Sequence, residues 1–379
     1  MHDDLPAFPI EAPTSSWPPA ESGLTRQFVT VGKHRMSYVI GGNGPPLVLV
    51  HGLGTASFTW RFVLPVLQQR FTVYAIDMLG CGESDKTDVD YRLEALAGYL
   101  HGFLDAVGLE RPIIIGHSMG GGITMMFCHL YPGRAERVVL ASSGGMGREM
   151  HWLLRVSTLP GAEGVIGVLS DPRSRVPQVS RSLEQRRMRR LDQEFDATTP
   201  TMLDRFQSPE ARLAFLSMLR GIGSISGQKM SALPFLSGLA VPTLLIWGAG
   251  DKTIPVTHGK EAVKLIPCAH LEIIPNCFHR PQVEAPQRFC ELVLEFLDAP
   301  VWPPVTAPAP ETAIPFLEPI SAPQRALRSN LRWQGGNISP TAWRKLAPAL
   351  APVAIAALGV PTGMRLIRRR QQRRRAIGL

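Results

Sequence analysis

Residues 113–122 read Ile-Ile-Ile-Gly-His-Ser-Met-Gly-Gly-Gly. Three consecutive isoleucines are the pattern of a strand buried on both faces. The run ends at Gly116, and beyond it Ile123, Met125, Met126 and Phe127 fall at helical apolar spacing. Ser118 therefore belongs on a sharp strand-to-helix turn, with Gly116 and Gly120 on either side. This is the G-x-S-x-G pattern in the context that gives it chemical meaning. A turn this tight brings backbone segments too close for Cβ atoms, which explains the flanking glycines. It also sets the serine hydroxyl near a helix N-terminus, whose free N–H groups favour negative charge.

Outward from this turn, strand and helix patterns alternate. Gln27–Ile40 suggests a hairpin, and Leu47–Val50, Phe71–Ile76, Ile113–Ile115 and Val138–Ala141 read as short apolar strands. Helical spacing lies between them over Thr59–Gln69, Leu93–Val107 and Gly122–Tyr131. From 145 to about 235 strands give way to helical stretches at Arg148–Leu159, Gly164–Leu169, Ser182–Leu191 and Glu210–Leu219. The alternation returns with strand Thr243–Trp247, helix His258–Leu265, strand His270–Ile274 and helix Ala285–Leu297. The expected fold is α/β: a doubly wound, mostly parallel sheet over residues 24–144 and 236–299, with 145–235 inserted as a helical lid. Such a lid belongs over the C-terminal edge of the sheet, where active sites of open α/β folds lie.

A serine needs a base within hydrogen-bond reach, and the base needs a third group to orient it. In doubly wound hydrolases the order along the chain is serine, acid, histidine. Asp251 follows an apolar strand and the turn Gly248-Ala249-Gly250, which suits the acid. His279 stands on a loop after the last strand and suits the base, whereas His51 and His117, inside glycine motifs, suit positioning roles. His258 and His270 fall at ordinary surface or strand-end positions. The developing oxyanion needs backbone N–H donors. Met119, directly after the serine, supplies one, and Leu53 in His51-Gly52-Leu53-Gly54 supplies the second.

The motifs His51-Gly52-Leu53-Gly54, Asp77-Met78-Leu79-Gly80-Cys81-Gly82-Glu83-Ser84-Asp85, Gly116-His117-Ser118-Met119-Gly120-Gly121, Gly248-Ala249-Gly250-Asp251 and His279 together resemble the α/β-hydrolase superfamily over about residues 25–298. The set is similar to its capped serine-hydrolase branch of esterases, lipases and carbon–carbon bond hydrolases. The run Leu140-Ala141-Ser142-Ser143-Gly144-Gly145 resembles uncharacterised hydrolases of actinobacteria. Two positions depart from the family pattern: Phe278 stands where a glycine usually precedes the histidine, and Arg280 follows it in place of a small or apolar residue.

The resemblance implies hydrolysis of a carboxylic ester through an acyl-enzyme, with no metal or organic cofactor and a small-molecule acyl substrate. Acyl transfer, carbon–carbon bond hydrolysis and a non-catalytic small-molecule-binding module remain alternatives on the same residues. Epoxide hydrolases and haloalkane dehalogenases of this fold place a carboxylate at the elbow, which disfavours both here. The insertion's Met146, Met150, Trp152, Leu154, Phe206 and Met218 suit an acyl or alkyl chain better than a sugar. Arg186-Arg187-Met188-Arg189-Arg190 reads as a solvated helix face rather than an anion site.

The 379 residues carry a net charge of +9, but it is unevenly placed. Beyond residue 299 there are twelve Lys/Arg and two acids, a net of +10, so the first 299 residues sum to −1. A nearly neutral globular part argues against a nucleic-acid-binding fold. Residues 1–23 read as a flexible Pro-rich arm with no signal-peptide pattern, so the cytoplasm is the expected location. Eight prolines between 300 and 323 read as a stiff linker. In the tail, 324–379, the uncharged stretch Leu346–Met364 is broken by Pro348, Pro352 and Pro361, and seven arginines follow between Arg365 and Arg375. This pattern suggests peripheral contact with an anionic membrane at its inner face rather than a span. The five cysteines show neither disulfide-framework nor metal-site spacing.

Overall fold

A computed structural model describes residues 17–171, 173, 176–189, 202–229 and 232–300. Most of the expected arm, the linker beyond Pro300 and the tail, Leu346–Met364 included, lie outside the described residues. Among those described, no helix is long and apolar enough to cross a membrane.

The chain builds an eight-stranded sheet in the spatial order β1-β2-β4-β3-β5-β6-β9-β10. Its strands are β1 (Thr25–Val31), β2 (His34–Gly41), β3 (Pro46–Val50), β4 (Thr72–Ile76), β5 (Ile113–His117), β6 (Val138–Ala141), β9 (Thr243–Gly248) and β10 (Ala269–Ile274). The first two pairings, β1 with β2 and β2 with β4, are antiparallel, and every later one is parallel.

The isoleucine run shows how the sheet is filled. Ile114 faces one layer of core with Val48, Val138, Leu245 and Trp247. Ile113 and Ile115 face the opposite layer with Leu47, Leu49, Val139 and Ile246. Alternation with period two thus buries each side chain on one face or the other, worth roughly 1.5–3 kcal/mol per large aliphatic residue. Helices α2 (Leu93–Ala106) and α3 (Met119–Leu130) cover the first face. The second is covered by α1 (Leu64–Leu67) and α11 (Pro286–Asp298), whose Phe289 and Val293 are fully buried. Trp17, at the described end of the arm, packs edge-on against Phe58 and borders this second layer.

Between β6 and β9 the chain leaves the main sheet. It forms α4 (Trp152–Val156), α5 (Ala162–Leu169), α6 (Val176–Arg189), α7 (Met202–Arg205) and α8 (Pro209–Ile222). A small antiparallel ladder follows, β7 (Gly223–Ser224) with β8 (Gly227–Gln228), where the sequence reading has no strand. The helix read at Arg148–Leu159 shrinks to α4 because the backbone ahead of it bonds elsewhere. Gly145 N–H donates to Gln228 Oε1 at 2.7 Å, and the Arg148 carbonyl accepts from Gln228 N–H at 3.0 Å. The helix read at Thr59–Gln69 divides into a 3-10 turn, Ser57–Trp60, and α1. After β9 come α9 (Thr257–Ala262) and, past β10, the short α10 (Pro281–Glu284), which apolar spacing alone does not reveal.

Candidate active site

Each expected site residue follows the C-terminal end of a parallel strand. Leu53 follows β3, Ser118 follows β5, Asp251 follows β9 and His279 follows β10. Those strands run parallel in one sheet, with β6 alone between β5 and β9, so their ends converge.

Ser118 sits at the turn with φ 54° and ψ −117°, a conformation that costs a non-glycine residue about 1–3 kcal/mol. The turn is held from several sides. Ser118 N–H donates to the Ala141 carbonyl at 3.0 Å, and the Ser118 carbonyl accepts from Gly121 and Gly144 at 3.0 and 2.9 Å. Gly120 passes so close to the Val50 carbonyl that a Cβ there would overlap it. A Cβ on Gly52 would stand 2.9 Å from His117 Nδ1 and 3.0 Å from Ser118 Cβ, so the loop bearing Leu53 lies directly against the elbow.

His279 Nε2 is 3.1 Å from Ser118 Oγ, and its Nδ1 is 2.8 Å from Asp251 Oδ2. The other carboxylate oxygen, Asp251 Oδ1, accepts from Thr253 and Ile254 N–H at 2.8 and 3.0 Å. Burial pushes the Asp251 pKa up. The hydrogen bond and charge of His279 and the two N–H donors outweigh this and hold it below the ordinary value. An ionised Asp251 requires an N–H at Nδ1 of His279, which leaves Nε2 free to accept the serine proton.

Two contacts hold the histidine loop in ways the sequence does not advertise. The His279 carbonyl is 2.8 Å from Nε2 of His117, which must donate to it. His117 is buried, and burial with the nearby His279 charge lowers its pKa to about 3, so it is neutral. On the other side, the buried Glu284 carboxylate accepts from Phe278 N–H at 2.6 Å. The Glu284 charge adds to burial in raising the Cys277 thiol to about 12.

The Leu53 loop is fixed by His51, also buried. Its Nε2 accepts from Met78 N–H at 3.1 Å, leaving Nδ1–H to donate to the Gly52 carbonyl at 2.8 Å. Thr55 Oγ1 donates to the same carbonyl at 2.8 Å. Met119 is buried at the first turn of α3, where its N–H precedes the intrahelical ladder.

The Asp77–Asp85 run proves structural. Asp77 is buried and accepts from Arg26 at 2.9 Å, Ser57 N–H at 2.7 Å and Glu83 N–H at 3.0 Å. Its carboxylate braces the segment after the Leu53 loop. His258, read as a surface or strand-end residue, is buried instead, with Nε2 2.6 Å from Glu149 Oε2. Arg186 is exposed, in keeping with a solvated face.

The inserted helices reach both loops. Leu53 packs against the cluster of Phe206, Phe215, Leu216 and Leu219 from α8 and the turn before it. From α6, Glu184 pairs with Arg280 at 2.6 Å, directly beside His279.

The family model for the alpha/beta hydrolase fold matches residues 45–286. An uncharacterised protein of Mycobacterium tuberculosis is 33% identical over 328 residues, covering 84% of this chain and 89% of its own. The 2-hydroxy-6-oxo-6-(2'-aminophenyl)hexa-2,4-dienoic acid hydrolase of Metapseudomonas resinovorans is 28% identical over 73% of this chain and 92% of its own. Among solved structures, a membrane phospholipase A described as a bacterial virulence factor superposes with a TM-score of 0.57 and 26% identity, covering 73% of this chain and 86% of that one. The motifs quoted from the sequence, the eight-stranded sheet and the matched family model agree: this chain belongs to the α/β-hydrolase family.

Proposed function

We propose that this chain is a serine hydrolase that cleaves a carboxylic ester of an apolar acyl group through an acyl-enzyme. The observation that carries this reading is the Ser118 hydroxyl 3.1 Å from an imidazole whose other nitrogen rests on a buried carboxylate. Ser118 Oγ attacks the ester carbonyl carbon while its proton passes to His279 Nε2. The N–H groups of Leu53 and Met119 hold the tetrahedral oxyanion. The carbon–oxygen bond breaks, and the departing alcohol takes the proton from His279. Water then attacks the acyl-enzyme, giving a proton to His279, and Ser118 recovers it as the acid leaves. Asp251 keeps His279 in the required tautomer throughout, and no metal or cofactor enters these steps.

A serine at the elbow also speaks against dehalogenation. Displacing a halide with Ser118 would leave a seryl ether, which has no carbonyl for water to attack. The inserted helices, 145–235, act in this reading as a lid: they bring apolar side chains onto Leu53 and a carboxylate onto Arg280. The similarity to a dienoic acid hydrolase favours a second reading, cleavage of a carbon–carbon bond beside a ketone on the same three residues. Its leaving group is a carbanion, which must be protonated as it departs.

A fluorophosphonate probe and p-nitrophenyl butyrate test the proposal together. The expected result is labelling of Ser118 and ester turnover, both lost in Ser118→Ala. Turnover that persists in that variant refutes the assignment. Turnover of a 2-hydroxy-6-oxo-dienoate, followed by its loss of absorbance, at a rate far above the ester's selects the second reading. Accumulation of transfer product when alcohols are added selects acyl transfer, and absence of turnover on all three selects a binding module.

A further inference from the structure

Arg280 stands directly after His279, at one of the two positions where the sequence departs from the family pattern. The loop that carries His279 is gripped at three successive residues. Phe278 N–H donates to the buried Glu284 carboxylate at 2.6 Å. The His279 carbonyl accepts from His117 at 2.8 Å. Arg280 Nη2 donates to Glu184 Oε1 at 2.6 Å. The first two grips come from the core, from Glu284 on α10 and His117 at the end of β5. The third comes from α6, in the inserted helices. Arg280 Nε also lies 3.9 Å from Glu284 Oε1, so one guanidinium bridges an acid of the insertion and an acid of the core.

Arg280 needs the partner that the insertion lends it. Burial on its own would lower the Arg280 pKa. The charge and hydrogen bond of Glu184, joined by the charge of Glu284, outweigh burial and raise it. Without Glu184 the guanidinium would face Arg61, whose pKa burial lowers to about 9, with Arg280 acting in the same direction. Arg61 thus adds to the pull on an incoming carboxylate. The degree of exposure suits a contact that opens and closes, since the Arg280 and Glu184 side chains are 26% and 28% exposed. A fully exposed pair would be screened to little value, and parting a fully buried one would be costly.

We infer that Glu184 and Arg280 form a latch through which the inserted helices, when docked, hold His279 in line with Ser118. Arg280 is a positioning residue in this role. The inference rests on the serine-hydrolase reading for the reaction it affects but not for the contact itself. His279 Nε2 must stay within reach of Ser118 Oγ, now 3.1 Å away, while Nδ1 stays on Asp251. A misplacement of about 1 Å can cost about a hundredfold in rate. A docked insertion thereby completes the site, and an undocked one leaves the loop to its two core grips.

The test is Glu184→Gln in the full chain. Arg181→Gln is the comparison, since Arg181 lies on the same helix but pairs with Asp204 inside the insertion at 2.8 Å. The readouts are amide hydrogen exchange of peptides covering α6 and residues 275–284, and steady-state kinetics on p-nitrophenyl acetate. Glu184→Gln is expected to speed exchange at least threefold in both segments, and Arg181→Gln in α6 but not in 275–284. On the acetate ester Glu184→Gln should lower kcat at least tenfold with KM within threefold, and Glu184→Asp should recover part of the loss. An insertion that merely gripped substrate would raise KM on p-nitrophenyl octanoate and leave kcat on the acetate unchanged, which overturns the inference. Faster exchange in α6 without change in 275–284 overturns it, as does an equal loss of kcat in Arg181→Gln. If the wild-type chain turns over no ester, the hydrolase reading fails separately. Exchange then decides the latch, since linked change in the two segments supports it and unlinked change overturns it. A circular dichroism spectrum matching wild type qualifies each variant, and Glu184→Ala serves where the glutamine variant does not fold.

Discussion

Replacing His117 by glutamine should change how stability responds to acid. Folded His117 titrates near pH 3, well under its ordinary value of 6.5, because it is buried beside His279. Between those values the unfolded chain holds one more proton than the folded chain at this position, so stability falls as pH falls. The contribution is fully present above pH 6.5 and is lost progressively below it. One proton is worth about 1.4 kcal/mol per pH unit, so the step from pH 7 to pH 5 removes about 2 kcal/mol. Glutamine can still donate an N–H toward the His279 carbonyl but cannot take up a proton. His51, lowered by the same burial, stays in both proteins and cancels in the comparison. Urea unfolding at pH 7 and pH 5, followed by circular dichroism, should therefore show wild type losing about 2 kcal/mol more than the His117→Gln variant over this interval. Parallel losses would show that His117 does not hold the neutral form assigned here.

Asp251→Asn should leave the fold intact but lower kcat about 10³–10⁴-fold, since an amide no longer selects the Nδ1–H tautomer of His279. Steady-state kinetics on p-nitrophenyl butyrate checks this, and a loss under tenfold contradicts the assigned acid. The +10 charge beyond residue 299 should make the full chain float with anionic vesicles at low salt and release at high salt, while a chain ending at Pro300 stays unbound. Equal flotation of the two removes the tail from any membrane role.

Much of this architecture is legible before any coordinates, for a reason visible at Val138–Ala141. A central parallel strand is buried on both faces, so its limits are marked by where apolar residues stop, and here reading and structure coincide. At Ile113–Ile115 the strand runs on to His117, because ladder pairing of Gly116 with Leu140 and His117 with Ala141 is a backbone matter indifferent to side chains. Apolar spacing also fails to separate a 3-10 turn from an α-helix, as at Ser57–Trp60. Ser118, Asp251 and His279 are brought together as read, since each follows a strand whose neighbours the topology dictates. The supports escape notice. Glu284 is an ordinary acid by sequence, and its bond to Phe278 N–H depends on a one-turn helix with no periodicity to reveal it.

The pairing of β6 with β9 carries a consequence for how this pocket can change. Val138 stands opposite Thr243 in a parallel register, so the chain must travel from the far end of one strand back to the near end of the other. A parallel pair cannot be closed by a tight turn, and some crossover is compulsory. The inserted helices are carried on that obligatory return. Since closure entropy rises only about 0.6 kcal/mol per doubling of a flexible connection, their length is nearly independent of the sheet's stability. The inserted helices, which the proposed reading makes a lid, can thus be lengthened, shortened or exchanged while the strand ends that hold Ser118, Asp251 and His279 stay in register. Selection can retune what the enzyme accepts without rebuilding how it reacts.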